Sequence, residues 1–464
     1  MGYDLEKIPL QTSPHSTYQD YLDADTREVP KIFREVGTAE LGTADVSKDR
    51  YVDRDWYEKE RTMWEKVWQV ACREEHIPEP GDYVVYDIAK RSFLVTRQED
   101  GSIRASANTC LHRGRKLRLE SGHADEFRCP FHGFTWGLDG DIAHVPCEFD
   151  FPQVKKEEFG LYQAQVSTWA GWVFINPDPD AMPLEEYLEP IKRHYEPYRW
   201  EQSYMGSHVA KVLDGNWKII QEAFMESFHS LDTHPQIVGT VDDFGCQYDV
   251  WEGKPHVNRM MVPFSSPSAY VVDQLSEQDI YDDWTGRREL GQDDEPYMLE
   301  DGETARQASA KLRRVVASEM LGEDLDHISD AEAVDGWYYN VFPNLMFWGG
   351  FGPNMWYRFR PWGDSHEQTL MEVGFIMRHP KDQPKPTPAE MTFLTVDQKW
   401  ADAPELGGLG FVLDQDTTNM AAIQHGLNAF YKEGVTFANY QENRIRHFHQ
   451  TLDHYVSMAD ANDS

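Results

Sequence analysis

Cysteine is scarce in this sequence. Five cysteines are spread over 464 residues, at positions 72, 110, 129, 147 and 246. An odd number at wide spacing does not form the disulfide framework that small secreted domains use. Cys110 and Cys129 have histidines close by, which favours metal binding. Cys72 and Cys147 have none at useful spacing, so we expect them to be small core residues.

Long hydrophobic runs are also missing. No apolar stretch approaches the roughly 20 residues that a membrane helix needs. The first residues show no basic segment followed by an apolar one, so no signal peptide is expected. The sequence therefore predicts a cytoplasmic protein without membrane attachment.

Positive charge is in short supply. The chain has 44 Lys and Arg against 80 Asp and Glu, which gives a net charge of -36. A protein this acidic is a poor candidate for nucleic-acid binding. Its 40% hydrophobic and 13% aromatic residues still provide enough apolar material for two large cores, and the length allows three.

What the sequence does contain is a pair of mixed cysteine and histidine motifs. Cys110 and His112 are separated by one residue, sixteen residues follow, and Cys129 and His132 are separated by two. A zinc site is the alternative, but zinc fingers usually pair Cys with Cys and His with His. One Cys and one His from each loop instead suit a 2Fe–2S cluster with two Cys on one iron and two His on the other.

A second constellation surrounds two further histidines. In NWKIIQEAFMESFHSLDTHPQ, apolar residues recur at helical spacing and place Glu226 and His229 on one helix face. Pro235 disfavours helix at His234, so we expect the helix to end between the two histidines and to let His234 turn back toward His229. Two structural histidines at a helix end are the alternative.

Two histidines need a carboxylate to complete the facial triad that binds Fe(II) and leaves positions open. Local candidates are Glu222, Glu226 and Asp232. Distant candidates are Asp414 and Asp416, which precede a helical pattern, and an acid in the first turn of a helix is favoured by the helix dipole.

Taken together, these motifs resemble the Rieske non-haem iron aromatic-ring-hydroxylating oxygenases, alpha (catalytic) subunit. The similarity is carried by CxH-x16-CxxHG with Trp136, by WQVACREEHIPEPGDY, by the acid-x2-His-x4-His pattern and by DxxNM, and it covers most of the chain from about residue 55. It implies that Cys110, His112, Cys129 and His132 hold a Rieske cluster and that His229, His234 and Asp416 hold Fe(II), with Asp414 as the rival third ligand.

The resemblance also implies a role for Glu226. In the family, this acid bridges an iron histidine of one subunit to a Rieske histidine of its neighbour in a trimer, so Glu226 would link His229 to His132 of the next chain. Most relatives have Asp at this position and a subset has Glu. Glu222 stands where many relatives have Asn.

The implied fold class is α+β, with an all-β Rieske domain and a helix-grip (START-like) catalytic domain built on an antiparallel sheet. We predict an N-terminal arm and lead-in helix packing with the catalytic domain over 1–67, the Rieske domain over 68–178 and the catalytic domain over 179–464. Residues 265–335 are interpreted as a solvated surface insertion, with a mobile cap as the alternative. Strand patterns are seen at 205–213, 247–251, 256–262, 337–342, 355–360 and 369–377, and helical patterns at 305–320, 388–400 and 417–431.

The resemblance implies a terminal oxygenase of aromatic hydrocarbon catabolism. Electrons from an NAD(P)H-linked reductase or ferredoxin would pass through the Rieske cluster, and O2 would be used to hydroxylate or dihydroxylate an aromatic or hydrophobic substrate. No GxGxxG motif follows a predicted strand, so the reductase is expected to be a separate protein. Alternatives are an O- or N-demethylating monooxygenase and a non-catalytic Rieske electron carrier. A homotrimer is expected, with a beta subunit left open.

Residue type indicates two candidate binding surfaces. A basic island near the cluster motifs could dock an acidic electron donor, or its members could pair internally. Large apolar residues near the second constellation could line a substrate pocket, or could be plain core. The island comprises Arg91, Arg97, Arg104, Arg113, Arg115, Lys116, Arg118 and Arg128, and the pocket candidates are Phe224, Met225, Ile237, Phe347, Trp348 and Phe351.

Overall fold

The computed structural model describes residues 16–286, 297–351 and 354–462. Within them, the α-helices are α1 Tyr18–Asp23, α2 Asp49–Val52, α3 Arg54–Met63, α4 Leu184–Tyr187, α5 Ile191–Tyr195, α6 Trp217–Glu222, α7 Ser230–Thr233, α8 Glu277–Trp284, α9 Ala305–Leu321, α10 Asp330–Val334, α11 Leu409–Asn428 and α12 Asn443–Asn462.

The strands of the first half are β1 Val46–Ser47, β2 Gln69–Arg73, β3 Asp82–Ile88, β4 Arg91–Arg97, β5 Ile103–Ala107, β6 Gly122–His123, β7 Phe127–Arg128, β8 Thr135–Trp136, β9 Ile142–His144, β10 Gln163–Trp169 and β11 Trp172–Asn176. Those of the second half are β12 Ser203–Asp214, β13 Gln247–Val250, β14 Val257–Val262, β15 Gly336–Val341, β16 Leu345–Gly349, β17 Asn354–Pro361, β18 Gln368–Arg378, β19 Met391–Leu394 and β20 Gly434–Val435.

The chain folds into two compact units. One contains Leu188–Trp362, His366–Thr451 and the described residues up to Asp53, and the other contains Arg54–Tyr187, Gly363–Ser365 and the described residues from Leu452 on. The boundaries predicted after residues 67 and 178 stay a prediction, and the first 15 residues of the predicted arm lie outside the described part of the chain.

The second of these units is all-β around the cysteine motifs. A seven-stranded sheet has the order β2-β11-β10-β5-β4-β3-β6, and β7, β8 and β9 form a separate three-stranded sheet. The pairs are antiparallel, as short connections between successive strands allow. The cysteine motifs lie on the loops that follow β5 and β7.

The first unit is built on an eight-stranded sheet with the order β13-β14-β15-β16-β17-β18-β12-β19. All pairs are antiparallel except β12 with β19, which is parallel. Helix α6 packs on β17 and β18, and the long helix α11 packs on α6 and β12. The α+β class is confirmed, as are the six strand patterns predicted for this region.

Two of the three predicted helices need correction. The pattern over 388–400 is wrong as a helix, because Met391–Leu394 forms an edge strand whose main chain pairs with β12. The helix predicted over 417–431 begins at Leu409, eight residues earlier, and ends at Asn428. The prediction at 305–320 is confirmed by α9.

The predicted insertion over 265–335 is more ordered than a solvated loop. Its residues 287–296 lie outside the described part of the chain, but α8, α9 and α10 fold within it. Ile280 and Tyr281 of α8 pack with Ala305 and Ala308 of α9 in a small apolar cluster. Apolar burial therefore stabilises part of a segment whose charge predicts a solvated surface insertion.

None of the helices in the described ranges is long and apolar enough to cross a membrane. The predicted cytoplasmic location stays a prediction.

Candidate metal centres

The two cysteine loops are built by the same turn. The N–H of Cys110 donates to the carbonyl of Arg115 at 2.8 Å, and the N–H of Gly114 donates back to the carbonyl of Cys110 at 2.9 Å. In the second loop, the N–H of Gly133 likewise donates to the carbonyl of Cys129, at 3.0 Å. Both glycines have left-handed backbone, with φ of 74° and 83°, which other residues adopt only at a cost.

These loops present two buried thiols and two outward imidazoles. Cys110 and Cys129 are 3% and 2% exposed and lie in an apolar cluster, whereas His112 is half-buried and His132 is exposed. The two imidazole rings lie 4.7 Å apart. No residue in the described part of the chain hydrogen-bonds to the buried Nδ1 of His112, which suits a nitrogen that ligates a metal. The donor set therefore fits a cluster held by two Cys on its inner iron and two His on its outer iron.

Main-chain N–H groups point at both sulfur atoms. Burial raises the pKa of the Cys110 thiol, and the N–H groups of His112 and Arg113 oppose that rise. Burial also disfavours ionisation of Cys129, but the N–H of Phe131, the Cys110 thiol, the N–H of His132 and the charge of Arg115 together lower the pKa of that thiol. Such donors stabilise a bound thiolate.

Cys147 does not behave as predicted. It is exposed and has left-handed backbone with φ of 52°, so it is not a small core residue. Cys72 is buried as expected.

The basic island is largely paired within the chain. Arg91 forms an ion pair with Glu65, and Lys116 forms one with Asp87, both at 2.8 Å. These pairs support internal salt bridges for those two residues, and the docking surface stays a prediction. Three further members donate to main-chain carbonyl oxygens: Arg97, Arg115 and Arg118.

The second constellation brings His229, His234 and Asp416 together. His234 Nε2 lies 2.7 Å from Asp416 Oδ1, and His229 Nε2 lies 3.6 Å from the same oxygen. One donor atom from each of the three residues lies within 4.8 Å of the others, as a single metal ion requires. His229 directly precedes α7, His234 directly follows it, and Asp416 lies in α11.

The helix predicted around His229 is broken. It ends at Glu222, and α7 begins only at Ser230, so Glu226 and His229 do not share a continuous helix face. The Glu226 carboxylate accepts from the N–H of His229 at 3.1 Å and pairs with its Nδ1 at 2.5 Å. These side-chain bonds take the place of helical ones and hold His229 at the start of α7.

Asp414 and Asp416 point in different directions. Asp414 accepts from the N–H groups of Trp400 and Ala401, at 2.8 and 3.3 Å, and has no place in the metal group. Two residues of α-helix are about 200° of rotation, so only one of the two acids can face the histidines. Since α11 begins at Leu409, the expectation of an acid in its first turn is wrong for both.

Negative charge converges on His229. Burial by itself would lower the pKa of this imidazole, but Glu226, Asp416 and Asp243 raise it to about 9. An excess of carboxylates around two imidazoles is the arrangement that a divalent cation neutralises. The site therefore fits a mononuclear iron as its sequence suggests.

A hollow of about 700 Å³ adjoins this group. Its acidic lining residues are Glu222, Glu226, Asp232, Asp416 and Glu442, and no Lys or Arg is among the described residues that line it. Its apolar wall is formed by Ile219, Met420, Ile423, Leu427, Phe437 and Ile445. The six pocket candidates from the sequence do not line this hollow, and Phe347, for example, packs on Trp200 with ring centroids 5.0 Å apart.

Glu222 anchors a network that sequence reasoning missed. Tyr51 Oη donates to its carboxyl group at 3.0 Å, and His449 Nε2 lies 2.8 Å from Glu222 Oε1 and 2.9 Å from Tyr51 Oη. Burial raises the pKa of Glu222 to about 8, and burial likewise raises that of Glu442 to about 7. His449 carries no local signal, because its partners are far away in the sequence.

Comparison with known proteins agrees with the two metal centres. Residues 184–458 match the family described as "Ring hydroxylating alpha subunit (catalytic domain)", and residues 67–155 match "Rieske [2Fe-2S] domain". The zinc alternative for the cysteine motifs is therefore wrong, and the chain's cofactors are a Rieske 2Fe–2S cluster and a mononuclear iron.

The chain is 32% identical over 197 residues to biphenyl 2,3-dioxygenase subunit alpha of Rhodococcus jostii (strain RHA1), which covers 41% of this chain and 43% of that protein. It thus spans less than half the length of such curated relatives. Naphthalene 1,2-dioxygenase with indole bound superposes with a TM-score of 0.61 at 21% identity, covering 90% of this chain and 93% of that one. A quaternary ammonium Rieske monooxygenase superposes with a TM-score of 0.63 at 17% identity, covering 93% and 100%. The catalytic-domain match spans more than half of the sequence, and the chain therefore belongs to the ring hydroxylating alpha subunit family.

Proposed function

We propose that this chain is the terminal oxygenase component of a multi-protein system, which uses O2 to hydroxylate or dihydroxylate an aromatic or hydrophobic substrate. The observation that carries the proposal is the convergence of His229, His234 and Asp416 in a chain that also has a Rieske domain. A Rieske electron carrier alone would need only a domain of about 100 residues, without the second centre.

The proposed ligands divide between the two centres. Cys110, His112, Cys129 and His132 would hold the cluster, and His229, His234 and Asp416 would hold the iron. When bound, these groups supply single-electron transfer and O2 activation. The two histidines flank α7 and Asp416 lies in α11, and the hollow lined by His229 and Asp416 offers space for a molecule beside them.

Glu226 is proposed as the bridge for electrons between subunits. Its contact with Nδ1 of His229 supports the half of this role that lies within one chain. One structural relative is described in terms of inter-subunit electron transfer. We therefore propose a homotrimer in which Glu226 links His229 to His132 of the next chain, with or without a beta subunit.

Two measurements test the bridge. Sedimentation should give a species of three copies. In a single turnover with substrate and O2, Glu226→Gln should slow reoxidation of the reduced cluster while iron content stays at the wild-type level. A monomer in solution, or wild-type reoxidation in the variant, contradicts the proposal.

The lining of the hollow bears on the substrate. Apolar side chains favour hydrophobic molecules, and the described residues that line the hollow include no Lys or Arg to pair with an anion. We therefore propose a neutral substrate. A matched pair such as toluene and benzoate tests this, since benzoate should stimulate far less O2 uptake.

A substrate screen tests the proposed activity directly. The purified protein is mixed with a surrogate NAD(P)H-linked reductase and ferredoxin, and O2 uptake and product mass are recorded. Gain of two oxygens and two hydrogens indicates dihydroxylation, and gain of one oxygen indicates monohydroxylation. His229→Ala should abolish turnover and leave the Rieske absorption unchanged. Turnover that survives this change contradicts the iron-site assignment.

Demethylation is the second candidate. It would be the activity of an O- or N-demethylating monooxygenase with the same two metal centres. The same screen separates the two, because a demethylated product loses one carbon and two hydrogens.

A further inference from the structure

We propose that Gln415, held by Gln236, fixes the ring of His234 so that its Nε2 faces the metal. The inference rests on the proposed function, because it concerns the iron site named there. His234 contacts two successive residues of α11: its Nδ1 lies 3.0 Å from Gln415 Oε1, and its Nε2 lies 2.7 Å from Asp416 Oδ1.

The tautomer of His234 decides whether it can ligate a metal. A neutral imidazole carries one N–H, and the ligating nitrogen must present a lone pair. If Nε2 takes the metal, the proton resides on Nδ1, and that N–H needs an acceptor because His234 is only 3% exposed. The carbonyl oxygen of the Gln415 amide is this acceptor. With the amide turned over, its NH2 group would favour the proton on Nε2, and the lone pair would be lost to the metal.

Gln236 sets the orientation of that amide. Its Nε2 donates to Gln415 Oε1 at 2.7 Å, and the return contact from Gln415 Nε2 to Gln236 Oε1 is 3.4 Å. A Gln415 amide turned by itself would place its NH2 group against that of Gln236, so the two amides can only turn together. The segment after α7 therefore supplies both His234 and, two residues later, Gln236, whose amide contacts Gln415.

The two histidines of the triad have acceptors of different charge. Nδ1 of His229 faces the Glu226 carboxylate, whereas Nδ1 of His234 faces a neutral amide. A charged acceptor makes an imidazole a stronger donor to the metal than a neutral one does. Replacing Gln415 by Glu should therefore keep the tautomer and strengthen the His234 ligand.

The test uses the full chain with its Rieske cluster intact and its mononuclear iron removed by a chelator. Co²⁺ is titrated in by calorimetry, and the EPR spectrum of bound Co²⁺ is recorded with the cluster oxidised and therefore EPR-silent. Gln415→Leu should weaken Co²⁺ binding about 10- to 100-fold and change the spectrum. Gln415→Glu should bind at least as tightly as wild type, and Gln236→Leu should fall between the two.

Gln450→Leu is the matched control. Gln450 is exposed in the same unit and makes one hydrogen bond, at 3.2 Å to the carbonyl of Leu41, so Co²⁺ binding should not change. If Gln415→Leu fails to fold, Gln415→Asn serves, since its shorter amide cannot reach Nδ1 and should also weaken binding.

The outcomes separate this inference from the proposed function. Wild-type affinity and spectrum in Gln415→Leu, or a Gln415→Glu variant as weak as Gln415→Leu, overturns the role of Gln415 alone. A wild-type protein that takes up no Co²⁺ at the triad overturns the proposed iron site itself.

Discussion

Glu222 should make the stability of this protein fall as the pH rises. The carboxyl group is buried against Tyr51 and His449, and burial raises its pKa to about 8. In the unfolded chain a glutamate titrates near pH 4.3. Between these two values the folded protein keeps a proton that the unfolded chain has lost. The stabilising effect of that proton is complete below the unfolded-state pKa. It disappears as the pH rises through the folded-state pKa.

Glu222→Gln removes this dependence, because an amide does not titrate. Each pH unit within the window is worth about 1.4 kcal/mol of unfolding free energy. Going from about pH 5.5 to about pH 8.5 should therefore shift the stability difference between variant and wild type by roughly 3 kcal/mol in favour of the variant. The fixed effect of exchanging an oxygen for an NH2 group adds the same amount at every pH and does not alter this trend.

Thermal unfolding of both proteins across this pH range measures the effect. Because a unit of this size has a large unfolding entropy, their difference in Tm should change by roughly 3–5 °C between the two ends. Groups that titrate in the window but do not interact with Glu222 are shared and cancel in the difference, whereas Glu442 interacts with Glu222, so Glu442→Gln is introduced into both proteins as a background. Glu405→Gln, at an exposed position of the same unit, controls for the loss of one acidic group. A Glu222→Gln difference that stays constant with pH refutes the reasoning, because it means that Glu222 is ionised in the folded protein.

Three further predictions follow from the geometry. Asp416→Ala should abolish iron binding and leave the Rieske absorption intact. Asp414→Ala should keep the iron and lower the unfolding free energy by about 1 kcal/mol, because two N–H groups lose their acceptor. Metal analysis and thermal unfolding measure these effects, and iron loss in Asp414→Ala contradicts the assignment. Cys147→Ser should leave the Rieske spectrum unchanged, because the thiol is exposed and outside the cluster loops; a bleached spectrum refutes it. Arg306→Leu should lower the unfolding free energy by about 3–5 kcal/mol in denaturant unfolding, because it leaves the buried carboxylate of Asp335, paired at 2.5 Å, without its partner. Arg306→Leu combined with Asp335→Leu should lose less stability than Arg306→Leu alone. An equal loss in the two variants contradicts the pairing argument.

The two cysteine and histidine loops could be predicted because their pattern is local. Each loop carries its own Cys, His and Gly within five residues, so the spacing alone indicates the turn. The strands of the large sheet could be predicted for a similar reason, since alternation is a property of neighbouring residues. The fold class follows from such local patterns taken together.

The choice between Asp414 and Asp416 could not be made locally. It depends on where α11 begins and on how it is rotated. Three glycines near its start, at 407, 408 and 410, are typical of a loop in sequence. In the structure, a Cβ on Gly410 would lie 3.0 Å from the main-chain nitrogen of Ala401, so this glycine permits close packing of a helix rather than a turn.

Contacts between distant segments explain the remaining differences between the predicted and the observed secondary structure. The strand at Met391–Leu394 forms because the edge of β12 is available to it, which a window of residues around position 391 does not show. The break after Glu222 depends on bonds made by Glu226, and the Tyr51–Glu222–His449 network joins residues 171 and 227 positions apart. Tertiary contacts of this kind override local propensity.

The acidic hollow beside the triad has a consequence for how the protein acquires its metal. Two imidazoles and a carboxylate do not select Fe(II) by affinity, since such donors bind Cu²⁺ and Zn²⁺ more tightly in the usual order of stability. The described residues that line the hollow include no Lys or Arg to repel a dication, and electrostatic attraction does not distinguish one dication from another. Correct loading therefore depends on which metal is available when the chain folds. Protein produced in zinc-rich medium should arrive with an intact red-brown cluster and an inactive neighbouring site, and its activity should return when zinc is removed and Fe(II) is supplied without air.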